Sequence, residues 1–217
     1  MINTVIFDMD GVIIDSEPIH KDLQQQKFDS LGITISDAQY KNFVGTSAKN
    51  MWQQLIQEHR LDISLEALLE ADIKEYRDYL LLQDDLRPID GIIPLLDQLR
   101  RNKFEIMLAS SATPQSIETV MDIFGLHDYF LHKVSGATLT HSKPHPEIFE
   151  VAAGLAKSAV EHCVVIEDST NGVKAAKAAG MKCIGFQNPQ SGDQDLSMAD
   201  WIVCSISEIH PDKIPGL

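Results

Sequence analysis

Two aspartates one residue apart, in Asp8-Met9-Asp10-Gly11, directly follow the apolar run Val5-Ile6-Phe7. Carboxylates in that spacing, held where a strand ends and a tight turn begins, offer a hard oxygen site for Mg²⁺. They can also divide labour at a phosphorus atom, one as nucleophile and one as proton carrier, because both roles need carboxylates within reach of one centre. Asp and Gly after a strand equally suit a plain turn, so the tetrapeptide alone leaves both readings open. An EF-hand loop is excluded, since Val12 and Ile13 stand where another oxygen residue and then a glycine are required.

Three further segments carry groups that phosphoryl chemistry needs. Ser110-Ser111 follows Met107-Leu108-Ala109; its hydroxyls and backbone N–H groups can donate to a phosphoryl oxygen, or simply cap a helix. Lys143 lies in Ser142-Lys143-Pro144-His145-Pro146, where prolines restrict the loop and a helix start favours anions. A lysine there is ordinary surface charge unless carboxylates stand opposite, in which case it can neutralise both a nucleophilic aspartate and an incoming phosphoryl group. Glu167-Asp168-Ser169 follows Val164-Val165-Ile166 and precedes Asn171-Gly172. Acids at a helix start complement its dipole; if they also face Asp8 and Asp10, the crowding raises carboxylate pKa values and calls for a divalent cation.

The elements that must bring these segments together are legible from periodicity. From Ser16 to Leu86 the apolar spacing is helical: Leu23, Phe28 and Leu31, then Met51, Trp52, Leu55 and Ile56, then Leu65, Leu68, Leu69, Ile73, Tyr76 and Leu80. Ser36-Asp37 and Ser64 with Glu66 read as helix starts, and Arg87-Pro88-Ile89-Asp90-Gly91 as the exit. Thereafter helices alternate with short apolar strands, the pattern of a parallel sheet with crossovers. Strands are expected at Phe104 to Ala109, Val164 to Ile166, Cys183 to Phe186 and Trp201 to Val203. Helices are expected at Ile92 to Arg101, Pro114 to Phe124, Pro146 to Ala156 and Asn171 to Ala179, with Gly125 and Gly180 as C-caps. The fold expected is α/β: a doubly wound, Rossmann-like parallel-sheet core (1–15 and 88–217), with a small all-helical domain (16–87) inserted after the first strand, which the resemblance given below makes a cap domain. In such sheets ligands bind beyond the carboxyl ends of strands, which is where all four segments fall.

Composition narrows the partners. The chain has 217 residues and a formal charge of −14, which repels nucleic-acid backbones and anionic membrane surfaces. An anionic small substrate must therefore be drawn in by a local cluster of cation and metal. Cys163, Cys183 and Cys204 lie far apart beside apolar residues and read as buried free thiols. The first strand begins without a preceding basic and apolar leader, and no apolar stretch of about 18 residues occurs. The expectation is a cytoplasmic protein, with the oligomeric state open and a monomer as default.

With these motifs in order, Asp8-x-Asp10-Gly11, Ser110, Lys143-Pro144 and Glu167-Asp168-Ser169-x-x-Gly172, the chain resembles the haloacid dehalogenase-like hydrolase superfamily. The likeness is to its capped phosphatase and β-phosphoglucomutase branch, and it spans nearly the whole sequence. The resemblance implies that Asp8 is the nucleophile forming an aspartyl-phosphate, and that Asp10 protonates the leaving oxygen and then activates water. It implies that Ser110, with Ser111 beside it, and Lys143 hold the phosphoryl group. Mg²⁺ would be bound by Asp8, the Asp10 carbonyl and Asp168, with Glu167 a further ligand or its partner. Asp10 argues against a true dehalogenase, which lacks that residue and the metal. In the cap, Glu17, His20, Lys49 and Lys74 are candidate substrate contacts, each equally readable as helix-surface polarity, and the turn Gly45-Thr46-Ser47 corresponds to a loop that reaches the active site in the family.

The sequence departs from β-phosphoglucomutase in ways that bear on the reaction. It has Ala48-Lys49 where the mutase has an arginine, and Ala112-Thr113-Pro114 where the mutase has residues that hold a second phosphate. A mutase must grip a bisphosphate at both ends, so hydrolysis is favoured over isomerisation. The expected activity is hydrolysis of a small phosphorylated metabolite, a sugar or polyol phosphate. A phosphosugar mutase is the alternative, and a non-catalytic metabolite-binding protein a second.

Overall fold

The computed structural model describes the 217 residues except 37, 38, 40–42 and 44–47; the Asp37 helix start and the Gly45-Thr46-Ser47 turn read from the sequence fall outside the described residues. The chain divides into two units, Met1–Glu17 with Asp85–Leu217, and Pro18–Asp84.

The first unit is built on β1 (Thr4–Phe7), whose four residues are all buried. A strand without one exposed position must be covered on both faces, which places it at the centre of a parallel sheet. It pairs in parallel with β2 (Glu105–Ser110) on one side and β4 (Cys163–Glu167) on the other. With β3 (His132–Ser135), β5 (Lys182–Phe186) and β6 (Trp201–Val203) the sheet runs β3-β2-β1-β4-β5-β6, the doubly wound order whose crevice opens between β1 and β4. One face buries Ile6, Met107, Val165 and Cys183 against α6 (Glu147–Leu155) and α7 (Thr170–Ala178), through Phe149, Ala152, Ala153, Val173 and Ala176. Residues of opposite parity turn to the other face, where α4 (Ile92–Arg101) packs on β2. The remaining crossover, α5 (Pro114–Phe124), starts at Thr113, whose hydroxyl accepts from the Ser116 N–H, and stops at Gly125 in the left-handed conformation (φ 64°).

The five expected strands form. The sixth, β3, was not foreseen because His132-Lys133-Val134-Ser135 offers a single clearly apolar residue and pairs on one side only. Cys163 and Cys183 are buried as expected, but Cys204 is exposed: it follows β6 at the sheet edge, where no layer covers it. Among the described residues no helix is long and apolar enough to cross a membrane.

The second unit is helical: α1 (Glu17–Ser30, which starts on the last residue of the first unit), α2 (Ala48–His59) and α3 (Leu65–Leu81). Its core is Phe28, Ile33, Met51, Trp52, Leu55 and Leu68, with Phe28 and Trp52 edge to face at 5.7 Å. Trp52 Nε1 donates to Asp72 Oδ2 at 2.5 Å. The Ser64 hydroxyl caps α3 by accepting from the Ala67 N–H at 3.1 Å.

Candidate active site

Register decides what meets at the rim of the sheet. Phe7 is level with Leu108 and with Ile166, so three adjacent strands end within two residues of one another and their last and following residues emerge side by side. The Asp8 N–H continues the ladder to the Ile166 carbonyl at 3.0 Å. Asp8 and Asp10 from β1, Ser110 from β2 and Glu167-Asp168 from β4 thus share one edge.

Lys143, from the loop before α6, reaches into this edge. Its Nζ donates to Asp8 Oδ1 at 2.6 Å and to Glu167 Oε1 at 2.7 Å, with the Ala109 carbonyl at 3.4 Å. The three side chains are 8, 9 and 1% exposed for Lys143, Asp8 and Glu167. Glu167 is fixed further by the Ser169 N–H and hydroxyl, both donating to Oε2 at 2.8 and 2.9 Å. Its carboxylate fills the space at Gly172: a Cβ there would stand 1.7 Å from Oε1. Gly11 meets the same demand on the other side, with φ 75° and Asp168 Oδ2 at 1.9 Å from where a Cβ would lie. The two motif glycines make room for carboxylates.

Asp10 is oriented by two hydroxyls. Ser16 donates to its Oδ1 at 2.6 Å and Ser110 to its Oδ2 at 3.2 Å. Ser110 is fully buried, and its hydroxyl also accepts from the Ala112 N–H at 3.0 Å. Ser111 is exposed. Thr113, in the segment that distinguishes this chain from the mutase pattern, spends its hydroxyl on the Ser116 N–H and lies 3.0 Å from the Ser116 hydroxyl.

Electrostatics follow from burial. Asp8 is held well above the usual carboxylate range, chiefly by burial, with Lys143 opposing and Glu167, Asp168 and Asp10 adding to the rise. Asp168 is pushed up to about 7 by burial and then by the Glu167 charge, against the hydrogen bond from Ser191. Burial works against the Lys143 charge, but Asp8 and Glu167 outweigh it and keep the ammonium protonated beyond the ordinary lysine range. Asp8, Glu167 and Asp168 each offer an oxygen, all within 4.8 Å of one another. Hard oxygen donors with more negative charge than one lysine balances are the donor set that suits Mg²⁺, so these residues fit that ion.

The matching family model covers residues 2–180 and describes a haloacid dehalogenase-like hydrolase. The chain belongs to that family. Among similar members, a hexitol phosphatase B of Escherichia coli is 29% identical over 97% of this chain and 96% of its own length. A probable pseudouridine-5′-phosphatase of Drosophila melanogaster is 28% identical over 96% of this chain and 91% of its own. The crystal structure of a β-phosphoglucomutase from Clostridium difficile superposes with a TM-score of 0.83 at 24% identity, covering 100% of this chain and 96% of that one, a likeness of fold.

In this hydrolase the structure gathers Asp8, Asp10, Ser110, Lys143, Glu167 and Asp168, and leaves Ser111 outside the hydrogen bonds that tie them. In the helical unit His20 stacks on Tyr76, ring centroids 4.3 Å apart; Lys74 is exposed and paired with Asp78 on the next turn; Lys49 is exposed. Glu17, the last residue of the first unit, is exposed as well. Two supporting residues were not foreseen. Ser191 donates to Asp168 Oδ2, and Asn188 Nδ2 donates to the Gly11 carbonyl at 2.9 Å and to Asp15 Oδ1 at 2.7 Å. Both lie after β5, in a Gln-Asn-Pro-Gln-Ser stretch that reads as a plain turn; only the adjacency of β5 to β4 would have marked it.

Proposed function

We propose that this hydrolase is a Mg²⁺-dependent phosphatase of small phosphorylated carbohydrates, sugar or polyol monoesters, working through an aspartyl-phosphate on Asp8. The carrying observation is the Lys143 ammonium bridging Asp8 and Glu167 beside Asp168. The carboxylate assigned as nucleophile is there kept close to a cation able to meet the phosphoryl charge.

Asp8 attacks phosphorus and the ester oxygen leaves, taking a proton from Asp10. The Asp10 carboxylate, oriented by Ser16 and Ser110, then accepts a proton from the water that attacks the aspartyl-phosphate; inorganic phosphate departs and Asp8 is regenerated. Lys143 and Ser110 hold the phosphoryl oxygens, as loose phosphoryl-transfer transition states require alignment and charge neutralisation above all. Asp8, the Asp10 carbonyl and Asp168 would hold Mg²⁺, with Glu167 as further ligand or partner; the ion supplies the rest of that neutralisation. The substrate class follows the relatives named for hexitols and for a nucleoside monophosphate. The helical unit is proposed as a cap that closes on the substrate, with Glu17, His20, Lys49 and Lys74 as candidate contacts; cytoplasmic location and a monomer belong to the same proposal. Commitment of Thr113 to a helix cap favours hydrolysis over a mutase, which would need a second anion site.

The test is phosphate release from a panel of hexose, pentose and hexitol phosphates with and without Mg²⁺, beside Asp8→Asn. Loss of at least about 10³-fold in the folded variant is expected; undiminished turnover overturns the assignment of Asp8. With glucose 1-phosphate and a bisphosphate primer, free phosphate rather than glucose 6-phosphate is expected to accumulate.

A further inference from the structure

The loop that delivers Lys143 to the acidic rim carries, on its outward side, a second set of metal-ligating groups. His141, His145 and Glu147 each offer one ligand atom, all within 4.8 Å of one another. The imidazoles of His141 and His145 stack face to face, centroids 4.2 Å apart and planes 22° from parallel, so sharing one ion requires one of these exposed rings to turn and bring its in-plane lone pair onto it. They form, with Thr140, Ser142, Pro144 and Pro146, the wall of an open recess. Glu147 faces them from the first turn of α6: its Oε2 lies 3.0 Å from His141 Nδ1. The same carboxylate accepts from the Thr140 and His141 N–H groups, which fixes it relative to the loop. His145 Nδ1 accepts from the Glu147 N–H at 3.3 Å, which places the ring's lone pair, the atom a metal would take, on the Glu147 side.

The geometry points to a binding site for a borderline transition-metal dication, of which Zn²⁺ is the type, held by His141, His145 and Glu147 and separate from the acidic rim. Two imidazoles with one carboxylate, and a position open to solvent for water or a further ligand, are a donor set of that class. Mg²⁺ prefers all-oxygen sites and has no use for the imidazoles. The chain thus sorts two metals by ligand hardness on the two sides of one loop, oxygen-only donors inside and nitrogen-rich donors outside. The inference does not depend on the phosphatase reading, because it concerns binding alone.

The test is isothermal titration of Zn²⁺ into untagged, full-length protein equilibrated with excess Mg²⁺, comparing the natural sequence with the double variant His141→Ala, His145→Ala and with Asp168→Asn. One equivalent of Zn²⁺ is expected to bind the natural protein. Affinity is expected to fall by more than about 100-fold in the double variant, since loss of ligands exceeds the usual cost of losing their supports, and to persist in Asp168→Asn. Both imidazoles are exposed, so the double variant should fold; its metal-free melting curve checks this. Co²⁺ as a spectroscopic stand-in should show the d–d bands of a nitrogen-ligated site in the natural protein and lose them in the double variant. Absence of Zn²⁺ binding to the natural protein, or binding that survives in the double variant and disappears in Asp168→Asn, overturns the proposal.

Discussion

A buried ammonium donating to two carboxylates, at 2.6 and 2.7 Å, is worth little compared with an apolar replacement of the whole group, yet it is costly to remove alone. Lys143→Met leaves Asp8 and Glu167 buried without a countercharge. Metal-free protein carrying it is predicted to lose about 3–5 kcal/mol in urea unfolding, and its turnover at saturating Mg²⁺ to fall at least about 10²-fold, since a charge aimed at the phosphoryl group is gone. An unchanged urea midpoint would mean that Lys143 is not seated between those carboxylates in solution. This residue was legible in the sequence only in company: Pro144 and Pro146 mark a stiff loop at a helix start, and the acidic segments elsewhere in the chain supplied the carboxylates without which a lysine there reads as surface charge. The hydroxyl of Ser191 and the amide of Asn188 were not, because serine and asparagine are the ordinary currency of turns, and their role exists only once β5 lies beside β4.

At the level of elements, the strand-to-helix turn from β4 into α7 shows how a backbone position serves a charge. Gly172 sits in the first turn of α7, capped by the Ser169 hydroxyl at 3.0 Å. Propensity alone would make Gly172→Ala stabilising by about 1 kcal/mol in a helix. The new Cβ, however, would stand 1.7 Å from Glu167 Oε1, and that carboxylate is clamped by Lys143 and Ser169. Overpacking of this kind costs about 1–3 kcal/mol, so the clash wins. Gly172→Ala is predicted to lower stability and, by shifting Glu167 and with it Lys143, to lower activity too; a variant more stable than the parent would show that Glu167 does not occupy that space. The elements themselves were largely legible because buried strands such as Cys163-Val164-Val165-Ile166 are continuous apolar runs. β3 was hidden, since an edge strand keeps one side in solvent and its sequence need not be apolar.

For the whole molecule, the rim couples folding to protons and metal. Asp168, near 3.8 in an unfolded chain and pushed up to about 7 when folded without metal, binds its proton more tightly in the folded state. The sign is fixed: between those values the folded state holds more protons than the unfolded one, so metal-free stability falls as pH rises, by at most about 1.4 kcal/mol per pH unit for this one group. Asp8, raised by the same burial, acts in the same direction. The proposed Mg²⁺ is expected to reverse the trend, because it would bind the ionised carboxylates and have to displace whatever proton remains. Below pH 7 each ion taken up should therefore release protons, and the stabilisation it confers should grow from pH 5.5 to 8. Asp168→Asn cannot ionise at that position and should lack this part of the slope: the metal-free stability of the natural protein relative to the variant should decline from pH 4 to 7 and level off above, while Mg²⁺ stabilises the variant far less. Urea melts across pH, with and without Mg²⁺, read both quantities. A difference between the two proteins that stays constant from pH 4 to 8 would remove Asp168 from the acidic cluster on which the magnesium assignment rests.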